Sequence, residues 1–308
     1  MKKIETIYQN KLLYKDFIWN KPLQKFSRGH LLVISGSRGK IDIPVQIIES
    51  AFKAGSGLIT FGYPKSLENI YKGHIPKEIS LPLPETLSGS LSTDSFPIIN
   101  DFSKEVNLTF IGPGISQNAE TMHLVWDIIS TIKCNTFVAG SGISALTIGI
   151  NILKKANVKL NKLFEQKTVI VSLTLGELLS LSEAIGDRQK ITENNNILIR
   201  ENLLNLSNEL SIYIIYNGRD EILVAGDNKL VVTPGSFNNG FSYVLMGIIA
   251  SFLSQNAKNT LESVSTAILL FKYATDLAIE TNPKITKIDI IKNIPRGMQK
   301  LEKEADLF

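Results

Sequence analysis

The sequence predicts an α/β protein with a mostly parallel central sheet and helices on both faces. Short apolar runs alternate with helical patterns along the whole chain, an order typical of a doubly wound sheet. The runs are continuous rather than alternating, which indicates strands that are buried on both faces. No internal repeat or linker-like composition divides the 308 residues. We therefore expect an N-terminal arm over residues 1–24 and a single domain over residues 25–308.

The first unit of this fold comprises a strand, a glycine-bearing loop and a helix. The apolar run 31–34 predicts the strand, residues 35–40 the loop, and residues 44–53 the helix. A second strand follows at 58–61. The segment 79–84 contains two prolines, so we expect an edge strand there at most.

The rest of the chain continues the alternation of strands and helices, and one β-hairpin interrupts it. The segments 221–224 and 229–232 flank a turn and predict a β-hairpin. Further strands are predicted at 108–111, 136–138, 168–171 and 211–215, with helical segments at 118–133, 177–183, 197–210, 244–253 and 261–280. Residues 153–166 are predicted to form a helix followed by a loop, and a final apolar segment lies at 288–293.

Five loops that follow predicted strands carry glycine and small polar residues. They are 35–40, 112–116, 139–144, 216–218 and 233–243. In an open α/β sheet the carboxyl ends of the strands converge on one crevice, which is the default ligand site. The stretch 233–243 runs directly into a helix, whose first N–H groups and dipole suit an anion such as phosphate. The alternative interpretation is that it only connects a strand to a helix.

Composition excludes several classes of function. The net charge of +4 comes without a basic stripe, so we expect no nucleic-acid partner. Cys134 is the only cysteine, which excludes an intrachain disulfide, and the three scattered histidines lack metal-ligand spacing. The sequence contains no apolar leader pattern and no run of eighteen apolar residues. We expect a soluble, cytoplasmic protein with no membrane partner and no metal held by its side chains.

Several stretches match the motifs of one known family. The segment 33–37 is similar to a strand followed by G-G-S, 51–60 to A-x-x-x-G-A-G-L-V-T, and 111–114 to I-G-P-G. Together with 25–29, 76–78 and 244–250 they resemble the ADP/ATP-dependent NAD(P)H-hydrate dehydratases, whose fold is ribokinase-like and related to carbohydrate kinases. The resemblance spans about residues 25–295, and we expect no counterpart of the epimerase domain that is fused to some members.

The resemblance implies a function in nicotinamide nucleotide repair. Members of the family use ATP or ADP to dehydrate hydrated NADH or NADPH, through phosphorylation and elimination of the hydroxyl. This chemistry needs a carboxylate that takes the hydroxyl proton and backbone amides that hold the phosphoryl group. An active member would therefore be a lyase with NAD(P)H hydrate as substrate and with ATP or ADP and Mg²⁺ as cofactors. The resemblance also implies a homo-oligomer.

The motif that carries this chemistry is altered in the 233–243 stretch. The family's N-P-G-x-x-x-G-G-T-G-D falls on residues 233–243, where Pro234, Gly235 and Gly240 match but Tyr243 replaces the catalytic Asp. A tyrosine has a reference pKa of about 10, against about 3.9 for aspartate. Loss of a positioned base lowers rates on the order of 10²–10⁴-fold. The sequence therefore predicts a divergent member that lacks the family's base.

The carboxylates that remain are few. The family's T-P-H-P-G-E falls on 172–177 and keeps Glu177, which is the best candidate for a replacement base. Asp220 and Glu221 lie at the start of the hairpin and are expected to be surface charges. Asp276 lies late in a predicted helix, where we expect a structural role.

The candidate site residues form two groups. The family's K-G-A motif falls on 217–219, where Arg219 could stand in for the missing lysine. Nucleotide or anion contacts are predicted for Asn217, Gly218, Asn239, Gly240, Phe241 and Ser242, and substrate-side contacts for Gly36, Ser37, Gly39, Lys40, Gly112, Pro113, Gly114 and Ser141.

Three functions remain open at this point. The first is a working NAD(P)H-hydrate dehydratase with a rearranged site. The second is an inactive or repurposed relative that binds a nucleotide or serves as a scaffold. The third is a ribokinase-like small-molecule kinase, which also needs an Asp base and is disfavoured equally by Tyr243.

Overall fold

The computed structural model describes residues 5–13, 28–187, 195–235, 239–256 and 258–306, without the side chains of residues 78, 239 and 306. Within these ranges the strands are β1 (Glu5–Tyr8), β2 (His30–Ile34), β3 (Leu58–Pro64), β4 (Ser80–Leu83), β5 (Leu108–Ile111), β6 (Asn135–Ala139), β7 (Val169–Leu173), β8 (Tyr213–Asn217), β9 (Glu221–Gly226) and β10 (Lys229–Pro234). The helices are α1 (Asp42–Lys53), α2 (Glu68–Tyr71), α3 (Phe96–Phe102), α4 (Ala119–Thr131), α5 (Ser141–Lys155), α6 (Leu175–Ile185), α7 (Asn196–Leu210), α8 (Ser242–Gln255), α9 (Thr260–Thr281) and α10 (Lys287–Asp306).

The described strands form one sheet in the order β1-β10-β9-β8-β7-β6-β5-β2-β3-β4. Only β9 runs antiparallel to its neighbours β8 and β10, and the other described pairs are parallel. This confirms the predicted, mostly parallel α/β sheet. The predicted hairpin is β9–β10, and it continues the main sheet instead of standing apart from it.

The sheet has a hydrophobic core on each face. In β2, for example, Leu31 and Val33 pack into a cluster with α1, α8, α9 and α10. Leu32 and Ile34 point the other way, into a cluster with α3 to α7. Because successive side chains of a strand point to opposite faces, a continuous apolar run is what such a doubly covered strand requires.

Residues 5–13, predicted to lie in an N-terminal arm, include a strand that the sequence analysis did not predict. β1 pairs in parallel with β10 at one edge of the sheet and is largely exposed. Beyond it, Leu12 is buried in the core and its N–H lies 3.4 Å from the Glu304 carboxylate of α10. The segment is therefore bound to the sheet and to α10, and the domain boundary at residue 24 stays a prediction.

Three predicted boundaries need correction. The predicted loop 139–144 is mostly helical, since α5 begins at Ser141 and only Gly140 separates it from β6. The strand predicted at 211–215 begins at Tyr213, because Ser211 adopts a left-handed conformation that ends α7. The segment 288–293 is the start of α10, which continues through Pro295 with its apolar side chains on the core.

No helix in the described ranges combines the length and the apolar character needed to cross a bilayer.

Candidate functional site

The loops after β2 and β5 are joined by hydroxyl-to-carbonyl hydrogen bonds. The Ser35 hydroxyl donates to the carbonyl of Pro113, and the Ser37 hydroxyl donates to the carbonyl of Gly114 at 2.8 Å. All four residues are buried. The hydroxyls thus satisfy carbonyls that no strand or helix would satisfy, and the two loops are held as one unit.

The start of α5 joins the same unit. The Ser141 hydroxyl donates to the carbonyl of Ile115 at 3.0 Å. Gly112 has a φ of +122°, and a Cβ there would lie 1.9 Å from the carbonyl oxygen of Ala139, so no larger residue fits. The loops 35–40 and 112–116 with residues 140–141 are called the substrate-side loops below, and they bring together the predicted Gly36, Ser37, Gly112, Pro113, Gly114 and Ser141.

The outer end of the first loop is exposed and basic. Arg38, Gly39 and Lys40 are all exposed, and a Cβ built on Gly39 would meet no atom within 4 Å. Arg38 crosses the neighbouring loop, since a Cβ on Gly89 would lie 2.9 Å from its Nε. Lys40 and Arg38 therefore present two cations to solvent on this loop.

A buried tyrosine lies under the first loop. Tyr71 is 1% exposed, and its hydroxyl has no hydrogen-bond partner among the described residues. A Cβ on Gly36, whose φ is +93°, would lie 2.6 Å from that hydroxyl. Burial raises the pKa of Tyr71 well above its ordinary value, and Tyr63 adds to the effect. Tyr71 therefore stays protonated, and its size requires glycine at position 36.

The turns after β8 and β10 form the other half of the crevice. The N–H of Gly218 donates to the carbonyl of Glu221 at 3.0 Å, and the N–H of Gly235 donates to the carbonyl of Asp220 at 3.0 Å. Residues 217–220 and 233–243 are called the nucleotide-side turns below. Residues 236–238 and the side chain of residue 239 lie outside the described part of this stretch.

A cavity of about 210 Å³ opens between the β8–β9 turn and the start of α7. Ligand pockets usually measure about 300–1,000 Å³, so this cavity suits part of a ligand. Close by, the Oδ1 atom of Asn217 is buried without a hydrogen-bond partner in the described structure. The cavity is lined by Asn196, Ile199, Tyr216, Gly218, Arg219, Asp220 and Glu221.

Glu221 is not the free surface charge that the sequence predicted. Its carboxylate accepts two hydrogen bonds from the guanidinium of Arg200, at 2.6 and 3.3 Å, and its side chain is only 14% exposed. Arg200 also donates to the hydroxyl of Tyr8 on β1 at 3.1 Å. These hydrogen bonds raise the pKa of Arg200, with Glu221 as the main cause. The pair fixes the β8–β9 turn to α7 and to the sheet edge.

Tyr243 packs as an apolar side chain. It lies in the first turn of α8, half-buried against the cluster of α1, α8 and α9, and Phe241 packs there as well. Phe241 is the N-cap, and no described side chain caps the helix. Gly240 is exposed, and a Cβ there would meet no atom of the described residues within 4 Å. Gly240, Phe241 and Ser242 thus lie where α8 begins. The next residue is Tyr243, which stands where the family motif has a carboxylate.

Glu177 has a structural role in α6. Its carboxylate accepts hydrogen bonds from the N–H and hydroxyl of Thr174 at 2.8 and 2.9 Å, and the Thr174 hydroxyl accepts from the Glu177 N–H at 3.4 Å. This capping box explains the position of the Glu177 carboxylate, with no need for a contact to a ligand. Asp220, Arg219 and Asp276 are exposed.

Two residues near the site were missed by the sequence analysis. Gln9 follows β1 in a segment that reads as polar, and Lys272 is a single cation within the apolar sequence of α9. The Thr233 hydroxyl donates to the Gln9 side chain at 3.0 Å, and the Lys272 ammonium lies 3.4 Å from the carbonyl of Pro234. A lysine flanked by apolar residues was the signal available for Lys272, and Gln9 offered none.

Two larger grooves, of about 630 and 640 Å³, lie away from these loops. One is bordered by Lys154 and Glu209 where α5 and α7 end, and the other by Lys104 and Cys134 before β5 and β6. Both are at the amino ends of the strands. We place the functional site at the carboxyl ends, where ligands bind in open α/β sheets.

Several solved structures share this fold. A ribokinase-like superfamily protein from Enterococcus faecalis superposes with a TM-score of 0.73 and 18% identity, covering 96% of each chain. An ADP/ATP-dependent NAD(P)H-hydrate dehydratase from Bacillus subtilis, co-crystallised with ATP and Mg²⁺, gives a TM-score of 0.67 and 16% identity over 91% of this chain and 92% of that one. The fold is therefore ribokinase-like, as predicted.

The sequence comparisons define the family. The NAD(P)H-hydrate dehydratase family model matches residues 31–296, so the chain belongs to this family. The bifunctional NAD(P)H-hydrate repair enzyme Nnr of Moorella thermoacetica is 23% identical over 283 residues, 90% of this chain and 51% of that protein. The corresponding enzyme of Pyrobaculum aerophilum is 25% identical over 95% of this chain and 55% of that protein. The chain thus spans about half the length of the curated relatives it matches.

Proposed function

We propose that this chain binds an adenine nucleotide, ATP or ADP, in the crevice and has lost the family's efficient dehydration of NAD(P)H hydrate. The observation that carries the proposal is the packing of Tyr243 against the core at the position of the family's Asp. The turn beside it keeps Pro234, Gly235 and Gly240. Backbone N–H groups hold phosphate without side chains, so a protein that has lost the catalytic base can still bind a nucleotide.

Two of the described carboxylates around the crevice, Glu177 and Glu221, support the loss of the base. Glu177 is engaged in the capping box of α6, and Glu221 is paired with Arg200. A general base must reach the proton that it removes, and neither carboxylate is free to do so. Asp220 is exposed beside the turn, where it suits Mg²⁺ that is held mainly by the nucleotide's phosphates.

Calorimetric titration of ATP and ADP with Mg²⁺ tests the binding, and the absorbance of hydrated NADH tests the reaction. The Bacillus subtilis dehydratase serves as the positive control for both measurements. We expect binding of at least one nucleotide, and an ATP-dependent loss of hydrated NADH at least about 100-fold slower than the control, the lower part of the range for a missing base. Turnover comparable to the control would show a working dehydratase with a rearranged site. Absence of nucleotide binding would leave a scaffold role.

The Tyr243→Asp variant provides a matched test of the missing base. It returns a carboxylate to the first turn of α8, where the helix dipole also favours a negative charge. We expect the ATP-dependent reaction to increase above that of the unmodified protein while nucleotide affinity changes little. Phosphorylation of a sugar or vitamin by either protein would instead favour the kinase alternative.

The expected homo-oligomer is a proposal that rests on the family alone. Light scattering coupled to size-exclusion chromatography measures the mass directly. A single species at the 34.1 kDa of one chain would contradict it.

A further inference from the structure

A cysteine and a lysine are neighbours at the amino ends of β6 and β7. Thr136 of β6 pairs in parallel register with Val169 of β7, and the N–H of Thr136 donates to the carbonyl of Thr168 at 2.9 Å. Two positions earlier, the same register places Cys134 beside Lys167. Neighbouring strands lie about 4.8 Å apart, and a lysine side chain spans more than this separation. The two side chains can therefore meet.

The thiol of Cys134 borders one of the two larger grooves. This is the groove of about 640 Å³ before β5 and β6, so a small solute in the groove can reach the sulfur. The Sγ atom lies 3.0 Å from the hydroxyl oxygen of Thr109. Burial raises the pKa of the Cys134 thiol, while Thr109 and Lys167 act in the opposite direction. Because the thiolate is the reactive form, an oxidant in excess is needed to attack this thiol.

The amine of Lys167 is buried and makes no hydrogen bond. Its Nζ atom has no partner among the residues that the structure describes. Burial lowers the pKa of Lys167 to about 8, and the interaction with Cys134 opposes this shift. About one tenth of the amine is therefore neutral at pH 7, against less than about one in a thousand for an ordinary lysine. A neutral amine with a free electron pair is a nucleophile, and it lies beside a sulfur atom.

We propose that Cys134 and Lys167 form a covalent modification site, in which peroxide links Sγ to Nζ as a sulfenamide. Peroxide first oxidises the thiol to a sulfenic acid and is itself reduced to water. The amine then attacks the sulfur, so that an S–N bond forms and the S–O bond breaks. The hydroxyl leaves with one amine proton as a second water. The pair lies at the amino ends of the strands, away from the crevice, so this inference does not depend on nucleotide binding.

Peptide mapping by mass spectrometry tests the bond in the unmodified protein. After treatment with hydrogen peroxide and alkylation of the remaining thiols, the peptides with Cys134 and Lys167 should appear as one joined species. It should be two hydrogen atoms lighter than the separate pair, and a thiol reductant should release both peptides. Protein oxidised in urea should give no joined species, because unfolding separates the pair. Its Cys134 should instead reach sulfinic or sulfonic acid.

Variants identify the partner of the sulfur. Lys167→Met replaces the amine with an uncharged, unbranched side chain, so the joined species should be lost and Cys134 should proceed to sulfinic acid. Lys167→Arg should do the same, because a guanidinium stays protonated. Lys133→Met is the matched control, since Lys133 adjoins Cys134 and borders the same groove, and it should keep the joined species. Circular dichroism confirms that each variant is folded, and the map of the unmodified protein decides if Lys167→Met misfolds.

Three results would overturn the proposal. Sulfinic acid at Cys134 beside an unmodified Lys167 would show that the amine does not intercept the sulfenic acid. A joined species that persists in Lys167→Met, or that is lost in folded Lys133→Met, would identify another partner. A Cys134 thiol that survives in the folded protein, under peroxide that oxidises it in urea, would show that the groove does not lead to the sulfur.

Discussion

The substrate-side loops and the nucleotide-side turns lie along the same edge of the sheet but are held together differently. Hydroxyls of Ser35, Ser37 and Ser141 bond carbonyls of the neighbouring loop on the substrate side. On the nucleotide side, the described connection is one backbone hydrogen bond from Gly235 to Asp220, and the Arg200–Glu221 pair supports it from α7. The first half is held by neutral hydroxyl groups, whereas the second is held by a backbone hydrogen bond and a charged pair.

Both halves keep glycines of the family motifs, including Gly235 and Gly240 on the nucleotide side. Gly36, Gly112 and Gly114 fall on glycines of the family motifs, and Gly112 cannot be replaced without a collision with Ala139. The acidic and basic positions of the family motifs carry Tyr243 and Asn217. Positions fixed by sterics persist because most substitutions there unfold the site.

Gly112→Ala should have the largest effect, because it tests the rigidity of the substrate-side loops. The positive φ and the 1.9 Å approach to a backbone oxygen require the backbone to move, so the free energy of unfolding should fall by roughly 3 kcal/mol or more. Urea denaturation measures it. Gly176→Ala, at a helical position with no atom within 4 Å, should be neutral or stabilising by up to about 1 kcal/mol. Equal effects at both positions would contradict the steric explanation.

Arg200→Met is the corresponding test of the nucleotide side. The pair is 25% and 14% exposed, so its loss should lower the free energy of unfolding by about 1–3 kcal/mol, below the range for fully buried pairs. Lys229→Met breaks the Lys229–Glu5 pair, which is 3.7 Å long and 43% and 60% exposed, and should cost at most about 0.5 kcal/mol. A double-mutant cycle with Glu221→Gln isolates the pairing energy. If both arginine and lysine variants behave alike, charge does not hold this half of the crevice.

The fold was predictable from the sequence because its signals are local. Continuous apolar runs such as 31–34 and 108–111 became buried parallel strands, and the turn at 225–228 correctly predicted the β9–β10 hairpin. The strand β1 was not predictable, because its side chains are largely exposed and its pairing with β10 joins residues more than 200 positions apart. Edge strands of this kind are defined by their partner and not by their own pattern.

Only the backbone arrangement of the candidate site, and not its side-chain contacts, was predictable from the sequence. Hydrogen bonds from Ser37 and Ser141 confirm that the substrate-side loops lie together, as the convergence of strand ends requires. The pairing of Glu221 with Arg200 and the contact of Lys272 with Pro234 could not be read from sequence spacing. Each joins groups from different elements, and no local pattern records that.

Changes in the capping box should have a smaller effect and should not reach the crevice. Thr174→Ala removes the N-cap of α6 and should lower the free energy of unfolding by about 1 kcal/mol. Glu177→Gln keeps a side-chain oxygen that can accept from Thr174, so stability should change by less than about 0.5 kcal/mol. Thermal denaturation and ATP titration of both variants check this. A large loss of nucleotide-dependent turnover in Glu177→Gln, at unchanged stability, would assign the base to Glu177.

Tyr243→Phe should have the smallest effect of all, because the hydroxyl has no role if the ring serves only as packing. Unfolding free energy should change by less than about 0.5 kcal/mol and ATP affinity by less than about twofold. Tyr243→Ala is the control and should cost about 1–2 kcal/mol, less than a fully buried aromatic residue, because the side chain is only half-buried against the core. If Tyr243→Phe remains folded but abolishes an ATP-dependent dehydration, the phenol is the base. The nucleotide side would then use a tyrosine in place of the family's Asp. If Tyr243→Phe behaves like the unmodified protein, only the packing of the aromatic ring matters at position 243.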